Sequence, residues 1–208
     1  SKGRGTEANE PVQMTGVQKI LWGVAGAALL VFAGLVLMAN RATAPPADTP
    51  FRPTFALPDA AGRLRTAEEF SGKHLLVFFG FTNCPDVCPM ALIEVAQVMD
   101  GLGGQADLVQ PLFISIDPTR DRGLELAEYT AAFHPSILGL AGDEAQTRAA
   151  AGSFRIFYER EDSSGAPDGY TMAHSASLYL IGPDGNWLRQ FSYGTPASEI
   201  MNDLKQRL

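Results

Sequence analysis

Phe78-Phe79-Gly80-Phe81-Thr82-Asn83-Cys84-Pro85-Asp86-Val87-Cys88-Pro89-Met90 is the stretch on which the fold turns. Leading into it, Leu75 to Phe79 is an unbroken apolar run, as expected of a buried strand. A cluster of Gly, Asn, Pro and Asp then breaks the run. From Pro89 onward, Leu92, Ile93, Val95, Ala96, Val98 and Met99 recur at helical spacing. Both cysteines of the chain lie in the break, with three residues between them. A strand that feeds a helix through a short loop is where α/β proteins place their chemistry.

Outward from this stretch the elements alternate. Upstream, Phe55 to Leu57 and Leu64 flank a turn at Asp59-Ala60-Ala61-Gly62 and predict a hairpin. Residues Glu68 to Gly72 read as a turn or short helix. Downstream, Leu108 to Ile116 is a second apolar strand, and Arg122 to Phe133 a helix stopped by Pro135. Ile137 to Leu140 predicts a short strand, and Asp143 to Ala151 a helix with Asp143 as N-cap. Phe154 to Arg160 reads as a strand, and Glu161 to Gly169 as a polar loop. Ser175 to Ile181 and Trp187 to Tyr193 flank Gly182-Pro183-Asp184-Gly185 as a second hairpin. A helix from Ser198 to Arg207 closes the chain. This order predicts an α/β, thioredoxin-like mixed sheet with helices on both faces, over residues 54–208.

Residues 1–19 are polar and Gly-rich, and predict a disordered segment. Ile20 to Met38 is free of charge and just long enough, at ~1.5 Å per residue, to cross a hydrocarbon core. It is longer than the h-region of a cleaved signal, so residues 20–39 are expected to form an uncleaved single-pass transmembrane anchor. Lys2, Arg4 and Lys19 before the span slightly outnumber Arg41 and Arg52 after it, which favours export of the large domain. Residues 40–53, with several prolines, read as a tether. An exported domain meets an oxidising compartment. The bacterial inner membrane, with the domain in the periplasm, is expected; the mitochondrial inner membrane, facing the intermembrane space, is the alternative. The N-terminal segment lacks the Arg-rich, acid-poor character of a transit peptide, which favours the bacterium. A formal net charge of −7 argues against a nucleic-acid binder, which would need a basic face.

Three chemistries suit Cys84 and Cys88. A structural disulfide over so short a loop constrains the unfolded chain little. A thiol–disulfide exchange pair of the thioredoxin type would have two intervening residues, not three. A soft metal site would use both thiolates and a third ligand. The residues available for that role are His74, His134, His174 and a Met such as Met90 or Met172. His74 precedes its strand and belongs at the far end; His134 precedes Pro135 at a helix end. His174 lies where a loop enters a core strand, which in a thioredoxin-like plan packs against the cysteine loop. Asp117 and Arg120-Asp121 follow the second strand and read either as carboxylates near the site or as a helix cap with a local ion pair.

Gly80-Phe81-Thr82-Asn83-Cys84-Pro85-Asp86-Val87-Cys88-Pro89, Ile116-Asp117-Pro118-Thr119-Arg120-Asp121, and His174-Ser175 followed by Tyr179-Leu180-Ile181-Gly182-Pro183-Asp184-Gly185 occur in this order. Together they resemble the Sco/SenC family of copper chaperones. The resemblance implies a membrane-anchored domain that binds one copper ion, Cu(I) or Cu(II), through Cys84, Cys88 and His174. It implies a role in assembling the binuclear copper centre of cytochrome c oxidase subunit II. That role is copper delivery, reduction of the subunit's cysteines as a thiol–disulfide oxidoreductase through Cys84 and Cys88, or both. Expected partners are that subunit, a thioredoxin-like reductase, and another copper chaperone as donor or acceptor. One departure stands out: family members often carry Asp before the metal His, where this chain has Ala173.

Overall fold

The structure, a computed structural model, describes residues 15–42 and 51–208. Most of the expected N-terminal segment and the tether between residues 43 and 50 lie outside the described residues. Two units are distinct. The first contains helix α1, Gly16–Ala42, whose Gly16–Val36 stretch is long and apolar enough to cross a membrane.

The second unit contains the remaining elements. In chain order they are β1 (Ala56–Pro58), β2 (Leu64–Thr66), β3 (His74–Gly80), α2 (Val87–Leu102), β4 (Val109–Ser115), α3 (Gly123–Ala131), β5 (Leu138–Leu140), α4 (Glu144–Ser153), β6 (Tyr158–Asp162), β7 (Tyr170–His174), β8 (Leu178–Ile181), β9 (Trp187–Phe191) and α5 (Ala197–Lys205). A five-stranded sheet runs in the order β5-β4-β3-β8-β9. Strand β3 lies at its centre, parallel to β4 and antiparallel to β8. Every residue of β3 is buried, which is why its sequence is continuously apolar rather than alternating.

Both faces of the sheet are covered. On one, Phe78 meets Phe113, and helix α2 lies close enough to bring Cys88 against Gly80. Helix α5 packs on α2. On the other, Phe79 meets Phe154, the residue that caps α4, and Tyr179 of β8. Helix α4 begins with a complete capping box, Asp143 accepting from the Gln146 N–H while Gln146 accepts from that of Asp143. Phe51 and Arg52 are tied to this unit: the Phe51 carbonyl accepts from the Trp187 N–H at 2.8 Å, and Arg52 donates to Asn186 at 2.8 Å.

The strand expected from Phe154 to Arg160 is displaced. Phe154 and Ile156 are buried at the end of α4, and the strand proper is β6, starting at Tyr158. Its partner is β7, antiparallel with Tyr158 opposite His174. The two form a separate ribbon with no ladder to the central sheet. His174 therefore ends a strand of an appended ribbon, rather than lying in a loop that enters the core.

Candidate metal centre

The main chain between β3 and α2 places the two sulfurs. Helix α2 starts at Val87, two residues before Pro89, so Cys88 lies in the first turn and Cys84 just outside it. The first N–H groups of a helix lack intrahelical partners. One of these, on Cys88, donates to Cys84 Sγ at 3.3 Å. Cys88 itself is fully buried, while Cys84 is partly exposed. Room for the Cys88 thiol exists because residue 80 is glycine. A Cβ there would lie 2.9 Å from Cys88 Sγ, 2.8 Å from Phe78 and 2.9 Å from Phe113. The sequence motif contains Gly80, but its steric purpose is visible only once α2 is packed on β3.

A buried carboxylate ties the cysteine loop to β4. Asp121 accepts from the Thr82 N–H at 3.0 Å, the Thr82 hydroxyl at 2.6 Å and the Ser115 hydroxyl at 2.7 Å. Burial raises its pKa against these hydrogen bonds. Asp117 is also buried; it pairs with Arg120 and accepts from the Tyr170 hydroxyl at 3.0 Å. Neither carboxylate caps α3, whose N-cap is Arg122. The local ion pair is present, and the carboxylates lie close to the site as fixed internal anchors.

Ribbon strand β7 supplies the third donor. Sγ of Cys84, Sγ of Cys88 and a ring nitrogen of His174 all lie within 4.8 Å of one another. His174 Nε2 is 3.7 Å from Cys88 Sγ. Its Nδ1 is 3.1 Å from the carbonyl oxygen of Ser175. A carbonyl only accepts, so Nδ1 carries a proton and donates to it, and Nε2 is the ring nitrogen turned toward the sulfur. Phe78 and Phe81 meet the imidazole edge-on, each at 6.0 Å between centroids. The carbonyl and these two rings orient His174 where residue 173, an alanine, cannot.

The other two histidines are elsewhere. His74 is buried at the opposite end of β3. His134 is within 2.8 Å of the Ser136 hydroxyl and 3.4 Å of Asp100. Met172 is packed against the core, and Met90 is exposed on α2.

The electrostatics of the sulfur pair are unequal. The hydrogen bond from Cys88, then those from His174 and from the N–H groups of Asp86 and Cys88, pull the Cys84 thiol down to about 4 despite burial. That same hydrogen bond, together with burial, pushes the Cys88 thiol up. One negative charge is thus stable at the pair without a metal, seated at a helix N-terminus. A second thiolate requires a cation to offset it. Two soft sulfurs and one imidazole nitrogen suit a thiophilic ion with three ligands. Both cysteines are free thiols, so exchange chemistry is also open to them.

Comparison with known proteins agrees with this architecture. A family model described as SCO1/SenC matches residues 43–208. The chain is 36% identical to an SCO2-like protein of Rickettsia felis over 151 residues, covering 73% of this chain and 74% of that one. It is 37% identical to the mitochondrial SCO2 homolog of Bos taurus over 156 residues, covering 74% of this chain and 58% of that one. Among solved structures, it superposes on copper-bound ScoI of Bradyrhizobium japonicum with a TM-score of 0.69 at 36% identity, covering 76% of this chain and 99% of the other. With its three sequence motifs gathered on one thioredoxin-like scaffold, this chain belongs to the SCO1/SenC family.

Proposed function

We propose that this chain is a membrane-anchored copper metallochaperone whose cargo is carried by Cys84, Cys88 and His174. The observation that carries the reading is the convergence of two sulfurs and one imidazole nitrogen within 4.8 Å. Copper bound to the solved B. japonicum relative supports the choice of metal. Helix α1 serves as the anchor and the unit after it as the copper carrier, exported to the periplasm of a bacterium. The acceptor is the binuclear centre of cytochrome c oxidase subunit II, and the donor is another copper chaperone.

The residues divide the work. Cys84, already a thiolate, captures the ion first, being the more exposed sulfur. Cys88 then gives up its proton as the cation removes the cost of a second negative charge. His174 offers Nε2, since the Ser175 carbonyl engages Nδ1 on the other side of the ring. Release to acceptor thiolates runs by stepwise ligand exchange, for which a three-ligand site leaves a coordination position open. A disulfide between Cys84 and Cys88 would block capture, so a thioredoxin-like reductase is a required partner.

A second reading is thiol–disulfide oxidoreductase action on subunit II. It is favoured by the asymmetry of the pair: a partly exposed, low-pKa Cys84 backed by a buried Cys88 is a fitting attacking and resolving arrangement. Transfer to an acceptor whose cysteines are pre-reduced separates the two. If the pre-reduced acceptor still needs this protein to take up copper, delivery is its role. If the acceptor loads equally well without it, reduction was the role and the chaperone reading fails.

A further inference from the structure

The third ligand is carried on a ribbon that has no ladder to the central sheet, so something else must hold it in place. From residue 157 to residue 177 the only buried residue is Tyr170, four positions before His174 on the same strand. Its ring lies between two guanidinium groups: Arg120 Cζ is 3.8 Å from the ring centroid, and Arg160 Cζ is 3.7 Å from it. The Tyr170 hydroxyl donates to Asp117. Arg120 pairs with the same carboxylate through Nε, and through Nη1 donates to the carbonyls of Pro167 and Tyr170 at 3.2 and 3.3 Å. Arg120 also lies over Phe81, 5.8 Å from its centroid, and Phe81 meets the His174 ring. Beneath the ribbon a cleft of about 630 Å³ runs past Asp117, Arg122, Arg148 and Met172.

We infer that Asp117, Arg120 and Tyr170 form a latch that docks the ribbon on the loop after β4 and so sets whether His174 reaches the sulfur pair. This rests on the metal-site reading above. The three are positioning residues, acting through His174 and not on the ion. The closed state is firm but not deep. Arg120 Nη2 is buried with no hydrogen-bond partner among the described residues, a standing cost to closure. The cleft gives the ribbon space in which to move when the latch opens. With the latch open, the sulfur pair would hold the ion on two ligands, the arrangement most ready for exchange to an acceptor.

The test uses the full chain in detergent, reduced, with Cu(I) as the probe. The variants are Arg120→Gln, and Tyr170→Phe, which keeps the ring and loses only the hydroxyl. Removing an outer partner of a metal ligand typically weakens binding about 10–100-fold, and Arg120→Gln is expected near the lower bound. Tyr170→Phe should show a smaller loss of the same kind. In a His174→Ala background both losses should vanish, since the latch then has no ligand to deliver. Independently of metal, amide hydrogen exchange across residues 158–174 of the apo protein should speed up in both variants, while β3 and β4 are unchanged. Equal losses with and without His174 would mean a merely structural role and overturn the inference, as would unchanged affinity and exchange in both variants. If His174→Ala alone leaves copper affinity unchanged, the metal-site reading fails instead, and the apo exchange data still decide whether the latch exists.

Discussion

The two limbs of the candidate site are built differently. Cys84 and Cys88 stand on a junction between the fully buried central strand and the first turn of α2, held by Asp121 from below. His174 stands at the end of a half-exposed ribbon outside the sheet. A core position is costly to move because close packing must be disrupted. A ribbon docked through one buried tyrosine is cheaper to move. In the proposed site the sulfur limb would therefore define where an ion sits, and the imidazole limb would be the adjustable part.

The sharpest way to break this comparison is to remove one donor from each limb. Cys88→Ser should abolish tight Cu(I) binding, because a hydroxyl is neither soft nor ionised at neutral pH. His174→Ala should weaken binding by at least the about 10–100-fold typical of losing an outer partner, yet leave the sulfur pair able to hold Cu(I). Competition titration against a Cu(I) chelator measures both, and equal losses would show the limbs to be equivalent. Next comes the packing beneath the sulfur limb. Gly80→Val must push a side chain into Cys88, Phe78 and Phe113, and should cost about 1–3 kcal/mol in urea denaturation of the apo protein. A neutral result would show that this limb yields as readily as the ribbon.

A smaller effect concerns pH. Cys84 has its folded pKa at about 4, against an ordinary 9.0, so between these values the unfolded chain binds more protons than the folded one. Stability of the reduced apo protein should therefore rise with pH across that window and be lost as pH falls through about 4. Cys88, shifted upward, has the opposite sign: above the ordinary value the folded state retains a proton that the unfolded state has lost, and stability falls again. The difference between wild type and Cys84→Ser between pH about 4 and the ordinary 9.0, where Cys88 stays protonated, isolates the first part, and a flat difference there would refute it. The smallest expected effect belongs to Ala173→Asp. It restores a family-typical carboxylate beside the imidazole, but places it opposite Glu159 in the ribbon register. We expect no gain in copper affinity and a change in stability within about 0.5 kcal/mol. Tighter binding would show that the Ser175 carbonyl orients the ring incompletely.

Much of the sulfur limb was legible because its cause is local. A continuous apolar run means a strand buried on both faces, and the Gly-to-Pro break with helical spacing after it marks the turn into α2. The Asp143 cap was legible for the same reason, since a capping box needs only residues three apart. The ribbon was not. Phe154 and Ile156 suggested an early strand, but their apolar character serves packing at the end of α4. Mostly exposed β6 and half-exposed β7 show little hydrophobic alternation to set their register. The depth of Asp117 and Asp121 was hidden too. Two carboxylates after a strand look like a helix cap until Thr82, Ser115 and Tyr170, distant in sequence, arrive as their donors.

The oxygen that engages Nδ1 of the His174 ring belongs to the main chain of Ser175. No exchange of one side chain for another can delete it. Which nitrogen faces the sulfurs is thus insulated from drift at the flanking positions, and a lineage can vary those neighbours while the same atom stays aimed at them.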